Sequence, residues 1–326
     1  MFFGYRNTSG DFLSMALRTS LITTTAPDKT SLPISICIIK FQVMNLLSIT
    51  ISPVGMVLNI IVLWFLGFQI CRNAFSAYIL NLAVADFLFL CSHSIFSFLI
   101  VCKLHYFLFY IRQLLDTVTM FAYVFGLSIT TIISIECCLS IMWPIWYHCQ
   151  RPRHTSAVIC VLLWALSLLF PALQMEKCSV LFNTFEYSWC GIINIISGAW
   201  LVVLFVVLCG FSLILLLRIS CGSQQIPVTR LNVTIALRVL LLLIFGIPFG
   251  IFWIVDKWNE ENFFVRACGF SHHILYVYCI NICVNATIYF LVGSIRHGKF
   301  QKMTLKLILQ RAIQGTPEEE GGERGP

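Results

Sequence analysis

Seven separate stretches of this chain are apolar for long enough to cross a bilayer, and no other feature limits its fold so tightly. They run at about Phe41–Phe68, Phe75–Cys102, Leu114–Trp143, Ala157–Met175, Gly191–Leu217, Val228–Val255 and Cys268–Val292. A hydrocarbon core about 30 Å thick needs roughly 20 mainly apolar residues at 1.5 Å rise each, and every run meets that length. Lipid offers a backbone N–H or C=O no partner, so a spanning segment must be a helix or part of a closed barrel. Ten-residue alternating segments, the mark of a barrel, are absent. The expected fold is an all-α membrane protein, a seven-transmembrane-helix bundle. Its composition agrees, since 59% of residues are hydrophobic and 11% charged, against roughly 25% charged in soluble proteins.

Connections are short, so the expected organisation is an extracellular tail over 1–40, the seven-helix domain over 41–293 and a cytoplasmic tail over 294–326. The first 40 residues lack the pattern of a cleaved signal peptide, which leaves the first run as the insertion signal; Met15 is an alternative start. After the seventh run, Phe300, Met303, Leu307 and Ile308 recur at helical spacing among Lys299, Lys302, Lys306 and Arg311. That pattern predicts an amphipathic helix lying on membrane lipids. The acidic, glycine-rich end around Glu318–Glu323 reads as disordered.

Basic residues set the orientation. Arg72, Arg151, Arg153, Arg218, Arg230, Arg296, Lys299, Lys302 and Lys306 fall on one side, and Lys103, Arg112, Lys177, Lys257 and Arg266 on the other, mixed there with acids. The N-terminus is therefore expected outside and the C-terminus inside. Asn7-Thr8-Ser9, a glycosylation triplet, lies on the expected outer side, whereas Asn232-Val233-Thr234 and Asn285-Ala286-Thr287 do not. The net charge of +7 is scattered over several short loops and forms no basic face for nucleic acid.

Of the 15 cysteines, most lie in apolar runs, where a thiol is usually a small hydrophobe. Cys178 and Cys190 differ: they end spans four and five on the oxidising side with a short loop between them, and are candidates for a disulfide, with Cys268 a competitor. No spacing suggests a metal site, and nothing calls for a cofactor. An intramembrane protease would want His-Glu-x-x-His or paired acids, and His272-His273 supplies neither. Inverted repeats with broken helices, the sign of a transporter, are not evident.

Polar groups within the spans point to function. Asp86 sits mid-span in Leu80-Asn81-Leu82-Ala83-Val84-Ala85-Asp86 and needs a polar surrounding. Asn59, Asn281 and Asn285 are its candidate partners, the last two sharing a helix face. One reading is a hydrated ion or switch site; the other is a protonated acid that knits helices. Pro248, flanked by Gly246 and Gly250, removes a backbone bond and predicts a hinge in span six.

Asn59, "LNLAVAD" in span two, Trp164, Pro248 and "NATIY" at Asn285–Tyr289 resemble the rhodopsin-like G-protein-coupled receptors. "RNAFSAYILNLAVADFLFL" (72–90), "MWPIWYHCQRPRHTSAVICVLLWALSLL" (142–169), "IPVTRLNVTIAL" (226–237) and "YFLVGSIRH" (289–297) narrow the resemblance to the Mas-related receptors, most closely the rodent B subfamily, over about residues 40–320. The resemblance implies a plasma-membrane receptor of sensory neurons or mast cells that answers peptides and cationic small molecules in a shallow outer pocket. It implies signalling through Gq- or Gi-type proteins, a role in nociception, and a bridge between Cys178 and Cys190. Gly246 matches the glycine this family carries two residues before the span-six proline.

Departures from the family pattern bear on both ends of such a receptor. Where relatives place acids that hold cationic ligands, this chain has Gln174 and Asn194. Close charge pairs at intermediate dielectric are each worth about 4 kcal/mol, which neutral amides forfeit. Glu176 and Glu186 are loop candidates to substitute for them, the alternative being simple solvation, and Trp253, Trp258 and Tyr123 are candidate apolar or cation-π contacts. For the tryptophans the alternative is interfacial anchoring, and for the tyrosine ordinary packing.

At the inner face the family's Glu-Arg-Cys becomes Glu136-Cys137-Cys138, losing the arginine that meets the G protein. In span seven the family's proline becomes Ala286, three residues before Tyr289. Span six gains Arg238, ten residues before Pro248 or about 15 Å of helix. One expectation pairs Arg238 with Glu136, holding spans three and six together; the other has Arg238 reaching alone to lipid phosphate. The function expected is a receptor with weakened coupling. Its competitor is a seven-helix protein that captures ligand or pairs with related receptors without coupling.

Overall fold

The structure is a computed structural model that describes residues 31–69, 74–149, 152, 154–177, 184–221, 230–258 and 271–294. Two compact units divide the chain, 1–40 and 41–326. Among the described residues six helices are long and apolar enough to cross a membrane, and a shorter apolar helix covers His273–Ile288.

We number the spans α1 (Ser31–Trp64, closed by a π-turn over Phe65–Gln69), α2 (Ala74–Val101), α3 (His105–Met142), α4 (Thr155–Lys177) and α5 (Thr184–Cys221). Span α6 comes in two α-helical pieces, Arg230–Leu241 and Ile247–Trp258, joined by a π-turn over Leu242–Gly246; α7 is Ser271–Ser294. Several helices outrun their apolar cores. The first begins at Ser31 rather than Phe41, because Leu32 and the isoleucines that follow continue the run and Pro33 falls in the first turn, where a missing N–H is harmless. Span α2 ends at Val101, and two residues on Lys103 is in the left-handed region at φ 55°. Leu104 N–H there closes back onto the Leu99 carbonyl at 2.9 Å, satisfying a carbonyl that the helix end would orphan.

A short helix that the run of apolar residues did not announce, Pro144–Cys149, follows α3 directly. Proline fits its first position because its fixed φ suits the first turn and no donor is lost. The expected amphipathic helix beyond span seven and the Asn7 triplet lie outside the described residues.

Span α3 runs through the centre: nearly every side chain from Met120 to Cys138 is buried. Around it, Phe89, Tyr123, Phe249 and Tyr278 from α2, α3, α6 and α7 form one aromatic layer, with Phe249 stacked on Tyr278 at 5.1 Å and Tyr123 edge-on to Phe249 at 4.7 Å. Trp164 of α4 donates from Nε1 to Asn81 Oδ1 at 2.9 Å and packs on Phe125 at 4.8 Å, which ties α4 to α2 and α3.

Pro248 gives more than the expected hinge. It cannot donate to the carbonyl four residues back, and the chain instead opens into the π-turn, where Ile247 N–H reaches the Leu242 carbonyl. Tyr123 donates its hydroxyl to the Gly246 carbonyl at 2.8 Å, so α3 grips α6 where its ladder is weakest. A Cβ on Gly250 would run into that hydroxyl and the Phe205 ring. Gly250→Ala is accordingly expected to lower the melting temperature of the detergent-solubilised protein by the equivalent of about 1–3 kcal/mol of overpacking. Gly210→Ala, at a site with nothing within 4 Å, should leave it unchanged or raise it slightly.

Candidate functional site

Three polar constellations interrupt the apolar interior, each on an inward helical stripe. In α6 the buried residues Thr234, Ile235, Arg238, Val239 and Leu242 recur at helical spacing, so Arg238 is carried on the core face. In α2 the equivalent stripe is Leu82, Ala85, Asp86, Phe89 and Leu90. These two stripes bring Arg238 Nη2 to Asp86 Oδ2 at 3.4 Å, with side chains 5% and 7% exposed. Neither expectation for Arg238, Glu136 or lipid phosphate, named this partner, the acid of α2. Asp86 thereby receives its counter-charge from within the chain.

The asparagines expected around Asp86 behave differently from one another. Asn59 donates to its own helix, from Nδ2 to the Gly55 carbonyl at 2.9 Å. Asn281 and Asn285 are buried on α7 at 2% and 3% exposure. Neither amide atom of Asn281, and not Oδ1 of Asn285, has a hydrogen-bond partner among the described residues.

Glu136 is 5% exposed, and two tyrosines hold it. Tyr78 of α2 donates its hydroxyl to Oε1 at 3.0 Å, and Tyr147 of the short helix donates to Oε2 at 2.7 Å. Both carboxylate oxygens are therefore used in fastening α2 and the Pro144–Cys149 helix to α3. Cys137 beside it is wholly buried and free of any disulfide. Cys138 donates its thiol to the Phe211 carbonyl of α5 at 3.3 Å. No sequence signal marked either Tyr78 or Tyr147 as a partner of Glu136.

At the opposite end of α4 and α5, Gln174 donates from Nε2 to Asn194 Oδ1 at 2.9 Å, and Asn194 donates from Nδ2 to Cys190 Sγ at 3.7 Å. Two amides can bond here where two carboxylates would repel. Cys190 is disulfide-bonded; Cys178 lies outside the described residues. Beneath the amide pair is a cavity lined by Met120, Val124, Phe170, Gln174, Trp200 and Trp253, among others. Tyr123 does not line it and belongs to the aromatic layer. The side chains of Glu176, Glu186, Trp258 and Tyr289 fall outside the described residues. Among the described residues no group of three potential metal ligands exists.

Comparison with known proteins decides what this arrangement belongs to. A family model described as serpentine type 7TM GPCR chemoreceptor Srx matches residues 49–234. The chain is 53% identical over 320 residues to Mas-related G-protein coupled receptor member B2 of Mus musculus, covering 96% of this chain and 94% of that one. The chain belongs to the Mas-related G-protein-coupled receptors. Member B4 of Rattus norvegicus is 51% identical over 290 residues, 89% of this chain and 88% of its own. Member X2 of Rhinopithecus bieti is 47% identical over 289 residues, 86% of each. This is thus a multi-pass membrane receptor and not an enzyme, with a ligand and a G protein as the general partners of its kind.

Proposed function

We propose that this is a plasma-membrane receptor, N-terminus outside, that senses an extracellular peptide or small molecule and couples weakly to Gq- or Gi-type proteins because its closed state is held from within. The observation that carries the reading is the buried Asp86–Arg238 pair. It ties α2 to the part of α6 that has to swing outward when a receptor of this class opens, and separating it strands two charges in apolar surroundings. Activation is then a shift between closed and open inner faces, and a ligand drives it only by the difference in its affinity for the two.

Cys137 supports the second half of the reading. At the place where the family carries an arginine there is a thiol with no exposed surface, which offers a G protein neither charge nor reach. That same observation favours a second reading, a seven-helix protein that binds ligand or pairs with related receptors without coupling. A second-messenger screen of surface-expressed protein against cationic peptides and neutral compounds, with Cys137→Arg alongside, separates them. The coupling reading expects a weak response from the unmodified chain and a larger one from Cys137→Arg. Silence in both chains, at equal surface expression, sinks it.

A further inference from the structure

The short helix Pro144–Cys149 turns one side to the bundle and leaves the other bare. Tyr147 faces inward, donating to Glu136 Oε2 at 2.7 Å. At about 100° per residue Ile145 stands about 200° round the helix from Tyr147, and Cys149, four residues on, shares the side of Ile145. Ile145 is 80% exposed, more than any other large apolar side chain among the described residues. Trp143, just before the helix, is 54% exposed, and Cys149 is exposed too. The other exposed large apolar side chains lie on the apolar spans, apart from Leu104. Bare apolar surface on this molecule is therefore lipid-facing surface, and Trp143 and Ile145 call for the same cover.

Depth decides whether lipid can give it. The apolar span of α3, Ile111–Met142, has 32 residues, which is about 48 Å of helix, or about 45 Å along the membrane normal at a usual tilt of about 20°. A bilayer with its headgroups is about 40–45 Å thick, so Trp143 emerges at headgroup level. The span of α4, Thr155–Gln174, has 20 residues, about 30 Å, and so begins at the edge of the hydrocarbon. A segment that leaves at the first level and re-enters at the second is kept within the headgroup layer, which tryptophan favours. Charge agrees with depth. No acid lies between Trp143 and Thr155, and Arg151 and Arg153 supply the positive charge that anionic lipids attract.

We propose that Pro144–Cys149 is a membrane-surface helix: Trp143, Ile145 and Cys149 enter the headgroup layer of an anionic bilayer, Arg151 and Arg153 meet its headgroup anions, and Tyr147 on the far side is thereby presented to Glu136. This contact needs neither the orientation nor the coupling proposed above.

Full-length receptor carrying Ile145→p-benzoylphenylalanine is reconstituted in nanodiscs of equal parts phosphatidylserine and phosphatidylcholine, irradiated, and analysed by mass spectrometry. Val206→p-benzoylphenylalanine, at a site 66% exposed within the apolar span of α5, serves as the lipid-facing standard. Position 145 is expected to give a receptor–phospholipid adduct within about threefold of the yield at 206. Hydrogen exchange of the 145–149 amides should be about three- to tenfold slower in these nanodiscs than in phosphatidylcholine alone, since each arginine near an anionic surface is worth up to about fivefold. Ile145→Asp, at a site too exposed to disturb the fold, should exchange several-fold faster and lose most of that difference. An adduct at 206 with none at 145, or exchange indifferent both to phosphatidylserine and to Ile145→Asp, overturns the proposal. So does irradiation of position 145 in cell membranes that captures mainly protein, whether a second receptor copy or another chain, in place of lipid.

Discussion

Arg238→Gln is expected to lower the melting temperature of the purified receptor by many degrees, and to make it indifferent to a second substitution, Asp86→Asn, that is damaging on its own. At 3.4 Å the Coulomb attraction is about 5 kcal/mol for an effective dielectric of 20. Desolvating the two ions opposes it by several kcal/mol each, so the pair as a whole adds little net stability. Removing one partner is another matter. It leaves a buried charge uncompensated and typically costs about 3–5 kcal/mol. The double variant, which leaves two neutral amides, should be no less stable than Arg238→Gln alone, so the coupling energy should be at least the cost of Asp86→Asn on its own, about 3 kcal/mol or more. The same cycle run on Arg238→Gln and Glu136→Gln should be additive within about 0.5 kcal/mol, because Glu136 is held by Tyr78 and Tyr147 instead. Strong coupling of Arg238 to Glu136 and none to Asp86 would reverse the assignment.

Cys137→Arg is expected to raise basal second-messenger output several-fold at matched surface expression. In the closed arrangement the position has no exposed surface, and both oxygens of the neighbouring Glu136 already accept hydrogen bonds from tyrosines. A guanidinium placed there is buried and poorly paired, which disfavours the closed state by several kcal/mol. In an open inner face the same group meets water and the G protein. Each 1.4 kcal/mol of closed-state penalty moves the closed-to-open ratio tenfold, so a modest fraction of this effect is measurable. Cys137→Lys, which carries the charge without the planar fork, should give a smaller rise. If Cys137→Ala raised output as much as Cys137→Arg, simple loosening of the core would be the cause, and the coupling argument would fail.

The bundle was readable in the sequence because spanning length is a blunt requirement that side-chain detail barely alters. Asp86 was legible too, since a mid-span acid has to find a partner. What could not be read was which partner. The distance of Arg238 from Pro248 fixes its height along α6, but height leaves the azimuth open. The π-turn at Leu242–Gly246 lies between the two positions and adds one residue to a turn. An extra residue rotates everything before it by about 100° relative to a regular helical wheel. A wheel drawn through the proline therefore misassigns the face that carries Arg238. The Glu136 partners were hidden for another reason. Tyr78 sits among mostly apolar residues of α2, where an aromatic reads as packing, and Tyr147 reaches back only because α3 ends at Met142 and a new helix starts at Pro144. Gln174 and Asn194 were legible as a change of charge, whereas their bond to each other needed the approach of α4 to α5.

Basal second-messenger output, normalised to surface expression, in four chains tests most directly whether the inner pair holds this receptor closed: the parent, Arg238→Thr, Cys137→Arg, and the two combined. The parent and Arg238→Thr should be nearly silent, the first for want of both opening and contact, the second for want of contact. Cys137→Arg should signal, and Arg238→Thr added to it should raise the signal further, beyond the sum of the single effects. A parent chain that already signals as strongly as Cys137→Arg, or a combined variant no more active than Cys137→Arg alone, would contradict the account.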